Sequence, residues 1–249
     1  MGWVDARTPL SQIKLRPPPR RAGVFDRPEL IDRLTGSPET RVVTIVAPAG
    51  YGKTTLMSLW YEHESRPTAW LSVDRYDNDP AILYADIVAA LEHAGIMGGD
   101  GGVNPRITSD LVVSRGVARL SNALDSQGVA GVLMLDHLEN LRSRGSNDAI
   151  AELAVRLPPT IQLAVASRSD VRLPVALLRV QGALLEMTAD DLAMNEVEAE
   201  QLLANVGVDI GDEIDELMNR TEGWPAGLYL VANAVRSGSV RQSALRIGG

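Results

Sequence analysis

The stretch APAGYGKTTL, residues 47–56, constrains the fold most strongly because it matches G-x-x-x-x-G-K-[ST] everywhere except at its first position, Ala47. An apolar run rich in β-branched residues, RVVTIVAP, precedes it, and a helical stretch follows from about Lys53. A strand, a glycine-rich turn and a helix in that order are the context in which this motif binds phosphate. The sequence therefore predicts a phosphate-binding loop in a strand–loop–helix unit.

The chemistry expected of this loop is specific. Backbone N–H groups of residues 50–54 point at phosphate, and the N-terminus of the next helix adds partial positive charge. Lys53, one of only two lysines in the chain, is expected to reach the β- and γ-phosphates, and the Thr54 hydroxyl to bind Mg²⁺. Ala47 precedes these donors, so alanine should be tolerated there; the alternative is a glycine turn with a chance Lys-Thr pair. The residues predicted to contact the nucleotide are Ala49, Gly50, Tyr51, Gly52, Lys53, Thr54 and Thr55.

The rest of the chain alternates short apolar runs with helical stretches. Strands are predicted at 41–48, 68–74, 131–136, 161–167 and 183–187, and such an alternation indicates a parallel sheet with helices on both faces. After about residue 190 the strands stop and only helical patterns remain, the first of which begins with Asn195 and Glu198 in capping-box spacing. We predict an extended N-terminal arm at 1–23, which contains three consecutive prolines, an α/β domain at 24–190 and a small all-helical domain at 191–249.

Composition limits the classes of function. The 249 residues carry a net charge of -8, which argues against direct DNA binding by this segment, and the absence of cysteine excludes disulfides and thiolate metal sites. No apolar run reaches the roughly 18 residues of a membrane span, and the N-terminus lacks a secretory signal. We therefore expect a cytoplasmic protein that does not bind membranes.

A second motif, VLMLDHLENL, places Asp136 at the end of a predicted buried strand. An acid there holds Mg²⁺, partly through water, in proteins that carry a phosphate loop. Hydrolysis also needs a group that orients the attacking water, and Glu139 is the nearest acid, since His137 follows the aspartate directly. The alternative is that Glu139 is a solvated loop acid and His137 a partly exposed loop residue.

Two further segments complete the candidate site. Arg168 follows the fourth predicted strand, where its guanidinium could reach a γ-phosphate, although a plain surface arginine is the alternative. TEGWPAGL interrupts two predicted helices with a glycine stop and a proline suited to the first turn of the next helix. The acid-rich DRYDNDP is expected mainly to cap helices, with Mg²⁺ contact as a minor alternative.

Taken in order and spacing, APAGYGKTTL, WLSVDRYDNDP, VLMLDHLENL, ASRSDVRLPVALLR and TEGWPAGL resemble the STAND-class signalling ATPases, and more narrowly the nucleotide-binding module of large LuxR-type bacterial transcription regulators. The resemblance implies a P-loop ATPase of the additional-strand type followed by a helical domain, with ATP or ADP as the nucleotide. It also puts Val24, Phe25 and Arg27 beside the adenine, gives Arg168 the role of γ-phosphate sensor, and packs Pro225 on the base.

The same resemblance suggests a biological role. ATP would favour an open, self-associating form and ADP a closed one. The family's inducer-binding superhelix and helix-turn-helix lie outside these residues, so further domains are expected on the C-terminal side. His137 stands where members often have a second aspartate. We therefore predict an ATP-binding, slowly hydrolysing switch; the alternatives are a nucleotide-dependent scaffold without turnover and a small-molecule kinase, for which no acceptor pocket or lid is evident.

Overall fold

The central element is a five-stranded parallel sheet. The structure is a computed structural model that describes residues 12–20, 23–98, 108–208, 211 and 214–237. The strands are β1 (Val42–Val46), β2 (Thr68–Ser72), β3 (Gly131–Asp136), β4 (Ile161–Ser167) and β5 (Leu184–Met187), in the order β2-β3-β4-β1-β5. Because β4 lies between β1 and β3, the sheet has the additional strand that the resemblance implied. The predicted fold class is confirmed.

Helices connect the strands and form the C-terminal part of the described chain. They are α1 (Pro28–Thr35), α2 (Lys53–His63), α3 (Pro80–His93), α4 (Ser109–Leu111), α5 (Val117–Gln127), α6 (Arg144–Arg156), α7 (Val175–Val180), α8 (Ala189–Leu192), α9 (Glu196–Asn205), α10 (Ile214–Thr221) and α11 (Pro225–Arg236). A π-helical turn, Val112–Gly116, joins α4 to α5. None of the described helices is both long and apolar enough to cross a membrane.

Each face of the sheet packs into its own hydrophobic core, as the near-continuous apolar strands predict. On β3, Leu133 and Leu135 face the core built with α3, α5 and α6, while Val132 and Met134 face the core built with α1 and α2. The parallel register brings the carboxyl ends of β1, β3 and β4 to one edge of the sheet. The residues that follow these strands therefore lie close together, which is where open α/β sheets bind ligands.

Helices α9, α10 and α11 pack around a third core that also takes in Phe25 from the α/β part. Asn195 opens α9 with a capping box: its side chain accepts from the Glu198 N–H, and the Glu198 carboxylate accepts from the Asn195 N–H. This confirms the helix start that the sequence indicates. We refer to α9–α11 as the helical module; the boundary between residues 190 and 191 stays a prediction.

The N-terminal arm departs from the extended chain expected of it, because Gln12–Leu15 form a 3₁₀ turn. Leu15 is buried in the core beside β2 and α3, and the Lys14 ammonium lies 2.6 Å from Asp86 and 2.8 Å from Asp77. Burying one leucine and pairing one lysine with two enclosed carboxylates outweighs the entropy of an ordered arm. The predictions for 1–11, 21–22 and 238–249 lie outside the described residues.

Candidate nucleotide-binding site

The loop after β1 has the backbone that a phosphate nest requires. Gly50 and Gly52 adopt left-handed φ values of 86° and 81°, which glycine tolerates without strain, and α2 begins at Lys53 directly afterwards. Ala47 stands outside this turn. Its N–H donates to the Ser167 carbonyl and its side chain is buried in the core, so it extends the pairing of β1 with β4. The missing glycine of the motif therefore falls where the backbone does not need one.

Lys53 is largely buried and its ammonium spans the loop. It donates to the carbonyls of Ala47, at 2.6 Å, and Pro48, at 2.8 Å. Burial lowers the pKa of Lys53 below its ordinary value, while the nearby carboxylate of Glu139 acts in the opposite direction. The ammonium is thus a charged hydrogen-bond donor beside the loop, and a phosphate group is a fitting partner for it.

Thr54 and Asp136 meet at the base of the loop. The Thr54 hydroxyl donates to the Asp136 carboxylate at 2.8 Å, and Asp136 is only 1% exposed. Burial raises the pKa of Asp136 above its ordinary value, against the opposing effects of His137 and the Thr54 hydrogen bond. An Mg²⁺ ion that is shared with nucleotide phosphates binds to one or two protein oxygens. The hydroxyl of Thr54, on α2, and the enclosed carboxylate of Asp136, at the end of β3, can supply these oxygens, so the residues fit this ion.

The described residues contain no cluster of three or more histidines, cysteines, aspartates or glutamates able to hold a metal ion. Magnesium bound through one or two protein oxygens and the phosphates needs no such cluster. DRYDNDP supplies caps instead: Asp74 caps the 3₁₀ turn Arg75–Asn78 together with Asp77, and Asp79 caps α3. The expectation that this segment mainly caps helices is confirmed.

Glu139 is held at the site by two neighbours. Arg168 reaches its carboxylate through the guanidinium at 3.1 Å and through the backbone N–H at 3.2 Å, and His137 lies 3.4 Å from it. The Glu139 side chain is 17% exposed, so it is not the freely solvated loop acid of the alternative interpretation. His137 adopts a left-handed φ of 61° and donates its N–H to Asp136. The residue predicted to orient the attacking water, Glu139, and the residue predicted to contact the γ-phosphate, Arg168, therefore lie side by side.

A cleft with two adjoining parts lies beside these groups; Lys53, Thr54, His137 and Arg168 line it, whereas Asp136 and Glu139 lie behind its surface. The polar part, of about 390 Å³, is lined by the loop, the start of α2, His137 and Arg168. The apolar part, of about 250 Å³, lies between the loop, the segment after the arm and the helical module. A charged half beside an apolar half suits a molecule with phosphates at one end and a flat base at the other. Every residue predicted to contact the nucleotide lines one part or the other, namely Val24, Phe25, Arg27, Ala49, Gly50, Tyr51, Gly52, Lys53, Thr54, Thr55 and Pro225.

Arg27 lines the apolar part, but its guanidinium points elsewhere. It forms two hydrogen bonds with the Glu198 carboxylate, at 2.7 and 2.8 Å, and donates to the carbonyls of Leu192 and Ala193. These bonds join the α/β part to the start of the helical module. Arg27 is therefore a clamp between the two parts, and any contact with a base would come from its backbone or the stem of its side chain.

Several residues that enclose the cleft are not predicted from the sequence. Pro18, Pro19 and Arg20 of the arm line the polar part, and Arg20 reaches Asp26 at 2.8 Å and the Val24 carbonyl at 3.2 Å. Met194 and Tyr229 of the helical module line the apolar part together with Leu202. The proline run predicts an extended arm, but no local pattern reveals which surface an arm covers.

Comparison with known proteins identifies relatives among bacterial transcription regulators. No family model matches the chain. It is 31% identical over 244 residues to the HTH-type transcriptional regulator MalT of Yersinia enterocolitica, and 29% identical over 247 residues to MalT of Klebsiella pneumoniae. Each match covers 95% of this chain but only 27% of the regulator's length.

Among solved structures, a Walker-type ATPase of Pyrococcus abyssi matches 93% of this chain and 73% of its own, with a TM-score of 0.58 and 18% identity. At that identity the likeness shows the fold alone. The chain is thus homologous to one segment, 27% by length, of the HTH-type transcriptional regulators MalT, and it has the fold of a P-loop ATPase.

Proposed function

We propose that the chain is an ATP-binding, slowly hydrolysing switch module of a larger transcription regulator. The observation that carries the proposal is the hydrogen bond of Thr54 with Asp136 at the base of a loop crossed by the Lys53 ammonium. This contact unites the two motifs at the carboxyl edge of the sheet. Phosphate, metal and base sites then lie along one cleft, and the MalT relatives support the regulatory setting.

Binding is tested by calorimetric titration of the chain with MgATP and MgADP. We expect saturable binding, and we expect Lys53→Ala to abolish it because the charge that spans the loop is lost. Arg144→Ala is the matched control, since the Arg144 side chain is 90% exposed and does not line the cleft, and it should bind like the wild type. Undiminished binding by Lys53→Ala would refute the assignment of the loop.

In the proposed reaction a water oxygen bonds to the γ-phosphorus while the bond from that phosphorus to the β–γ bridging oxygen breaks, giving ADP and inorganic phosphate. Glu139 orients the water and takes its proton, and Lys53 and Arg168 stabilise the charge on the transferred group. Magnesium, held by Thr54 and Asp136, would neutralise charge on the β- and γ-phosphates.

Slow turnover is expected because Glu139 is already engaged by Arg168 and His137. Phosphate release should fall in Glu139→Gln while MgATP affinity is retained. The engaged carboxylate also favours the second candidate, a nucleotide-dependent scaffold without turnover, and absence of phosphate release from the wild type would establish that role instead. Transfer of labelled phosphate to a metabolite would point to a kinase.

The switch itself would be a shift between two packings of the helical module on the α/β part, with ATP favouring the open and self-associating one. Sedimentation of the full-length regulator with ADP and with a non-hydrolysable ATP analogue tests this. Larger assemblies with the ATP analogue are expected, and identical sedimentation with both nucleotides would contradict the switch.

A further inference from the structure

The helical module is hydrogen-bonded directly to the outer side of the phosphate loop. Trp224, the residue before α11, donates its indole N–H to the Ala49 carbonyl at 3.1 Å. The backbone N–H of Ala226, in the first turn of α11, donates to the Gly50 carbonyl at 3.1 Å. Two consecutive carbonyls of the loop thus accept hydrogen bonds from the beginning of one helix. Nearly the whole α/β part separates the loop from this helix in sequence.

These two carbonyls belong to the peptide units that carry the first N–H groups of the nest. A trans peptide unit is planar, and its C=O and N–H point in opposite directions. All peptide bonds in the described residues are trans. When the module binds the carbonyls of Ala49 and Gly50 on the outside, the N–H groups of Gly50 and Tyr51 are turned to the inside, where phosphate is expected.

We propose that Trp224 and Ala226 are positioning residues that hold the phosphate loop in its binding conformation, so that docking of the helical module and nucleotide affinity are coupled. The inference rests on the proposed function and extends it, because it names the hydrogen bonds that couple the conformation of the loop to the position of the module. Without the module, these peptide units lose the partners that fix their orientation.

Glycines on both sides of the indole make the contact possible. A Cβ on Gly50 would lie 2.6 Å from the indole nitrogen, and a Cβ on Gly227 would lie 2.7 Å from a carbon of the same ring. Both distances are shorter than carbon side chains allow. The indole therefore sits in a space that only glycine leaves open, between the loop and its own helix, and this close fit makes the contact sensitive to small changes in loop geometry.

Coupling of this kind is reciprocal. If the docked module raises the affinity for nucleotide, bound nucleotide must stabilise the docked module by the same factor. The hydrogen bond from Ala226 provides a direct measure, because its N–H exchanges with solvent only when the start of α11 leaves the loop. Nucleotide should therefore slow hydrogen exchange of this amide.

The test is calorimetric titration with MgADP, combined with hydrogen exchange of the Ala226 amide. Trp224→Phe keeps an aromatic ring but removes the N–H donor, and we expect about fivefold weaker binding from the loss of one net hydrogen bond. Gly227→Ala should displace the indole and so weaken binding, and the higher helix propensity of alanine offsets part of the cost of the close contact. Leu230→Ala, an exposed position on α11, is the matched control and should bind like the wild type.

In the wild type MgADP should slow exchange of the Ala226 amide, and in both variants this effect should shrink. The positioning role is overturned if the wild type binds MgADP and both variants bind it within about twofold of the wild type, a change too small for a lost hydrogen bond. Failure of the wild type to bind any nucleotide would overturn the proposed function, and this inference with it. Should Trp224→Phe not fold, Gly227→Ala decides.

Discussion

Replacing Lys14 by methionine removes the only cation that an enclosed group of carboxylates contacts among the described residues. The Lys14 ammonium lies 2.6 Å from Asp86 and 2.8 Å from Asp77, whose side chains are 8% and 0% exposed, and 3.3 Å from the more exposed Asp74. Methionine fills a similar volume but leaves the carboxylates uncompensated. Removing one partner of a buried ion pair costs about 3–5 kcal/mol, so near neutral pH the free energy of unfolding should fall by about that amount.

Urea denaturation near neutral pH measures this loss. The matched control is Arg144→Met, which breaks the exposed pair of Arg144 with Asp148 and should cost less than about 0.5 kcal/mol. At a pH well below the pKa of Asp86, the cost of Lys14→Met should shrink, because a protonated Asp86 leaves less uncompensated charge. A loss no larger than that of the control would refute the idea that this contact anchors the arm.

Three more predictions follow from other contacts. Burial raises the pKa of Asp86 from 3.8 to about 6, so between these pH values the native state keeps a proton that the unfolded chain releases. This adds about 3 kcal/mol to the free energy of unfolding at low pH, and the addition is lost as the pH rises to 6. In Asp86→Asn, urea denaturation should no longer show this fall in the free energy of unfolding with pH. Arg27→Met breaks the clamp to Glu198 and should cost about 2 kcal/mol by the same assay. Gly223→Ala should cost about 2 kcal/mol or more in thermal denaturation, because φ is 70° and a Cβ would lie 2.4 Å from the Met194 carbonyl.

What the sequence predicted well depends on local pattern. The strand, turn and helix around Lys53 follow from apolar runs and glycines within a few residues, and the cap at Asn195 follows from a spacing of three. The meeting of Asp136 with the loop also follows, because strand ends in a parallel sheet share one edge. Each of these follows either from residue spacing within one segment or from the geometry of a parallel sheet.

What the sequence could not predict depends on side chains that meet from distant parts of the chain. The clamp of Arg27 on Glu198, the anchor of Lys14 beside Asp86 and the indole of Trp224 on the loop each join segments far apart in sequence. No periodicity or motif encodes such a partner, and tertiary packing selects it. The engagement of Glu139 was left open for the same reason, since Arg168 follows a different strand.

The central claim is that Lys53, Thr54 and Asp136 form one site for a magnesium–nucleotide complex. The most direct measurement is the affinity for ATP with and without Mg²⁺, in the wild type and in Asp136→Asn. The account predicts that Mg²⁺ strengthens binding to the wild type and that this gain disappears in the variant, because the carboxylate that shares the ion with Thr54 is gone. Equal affinity with and without Mg²⁺ in the wild type, or a full gain in Asp136→Asn, would contradict it.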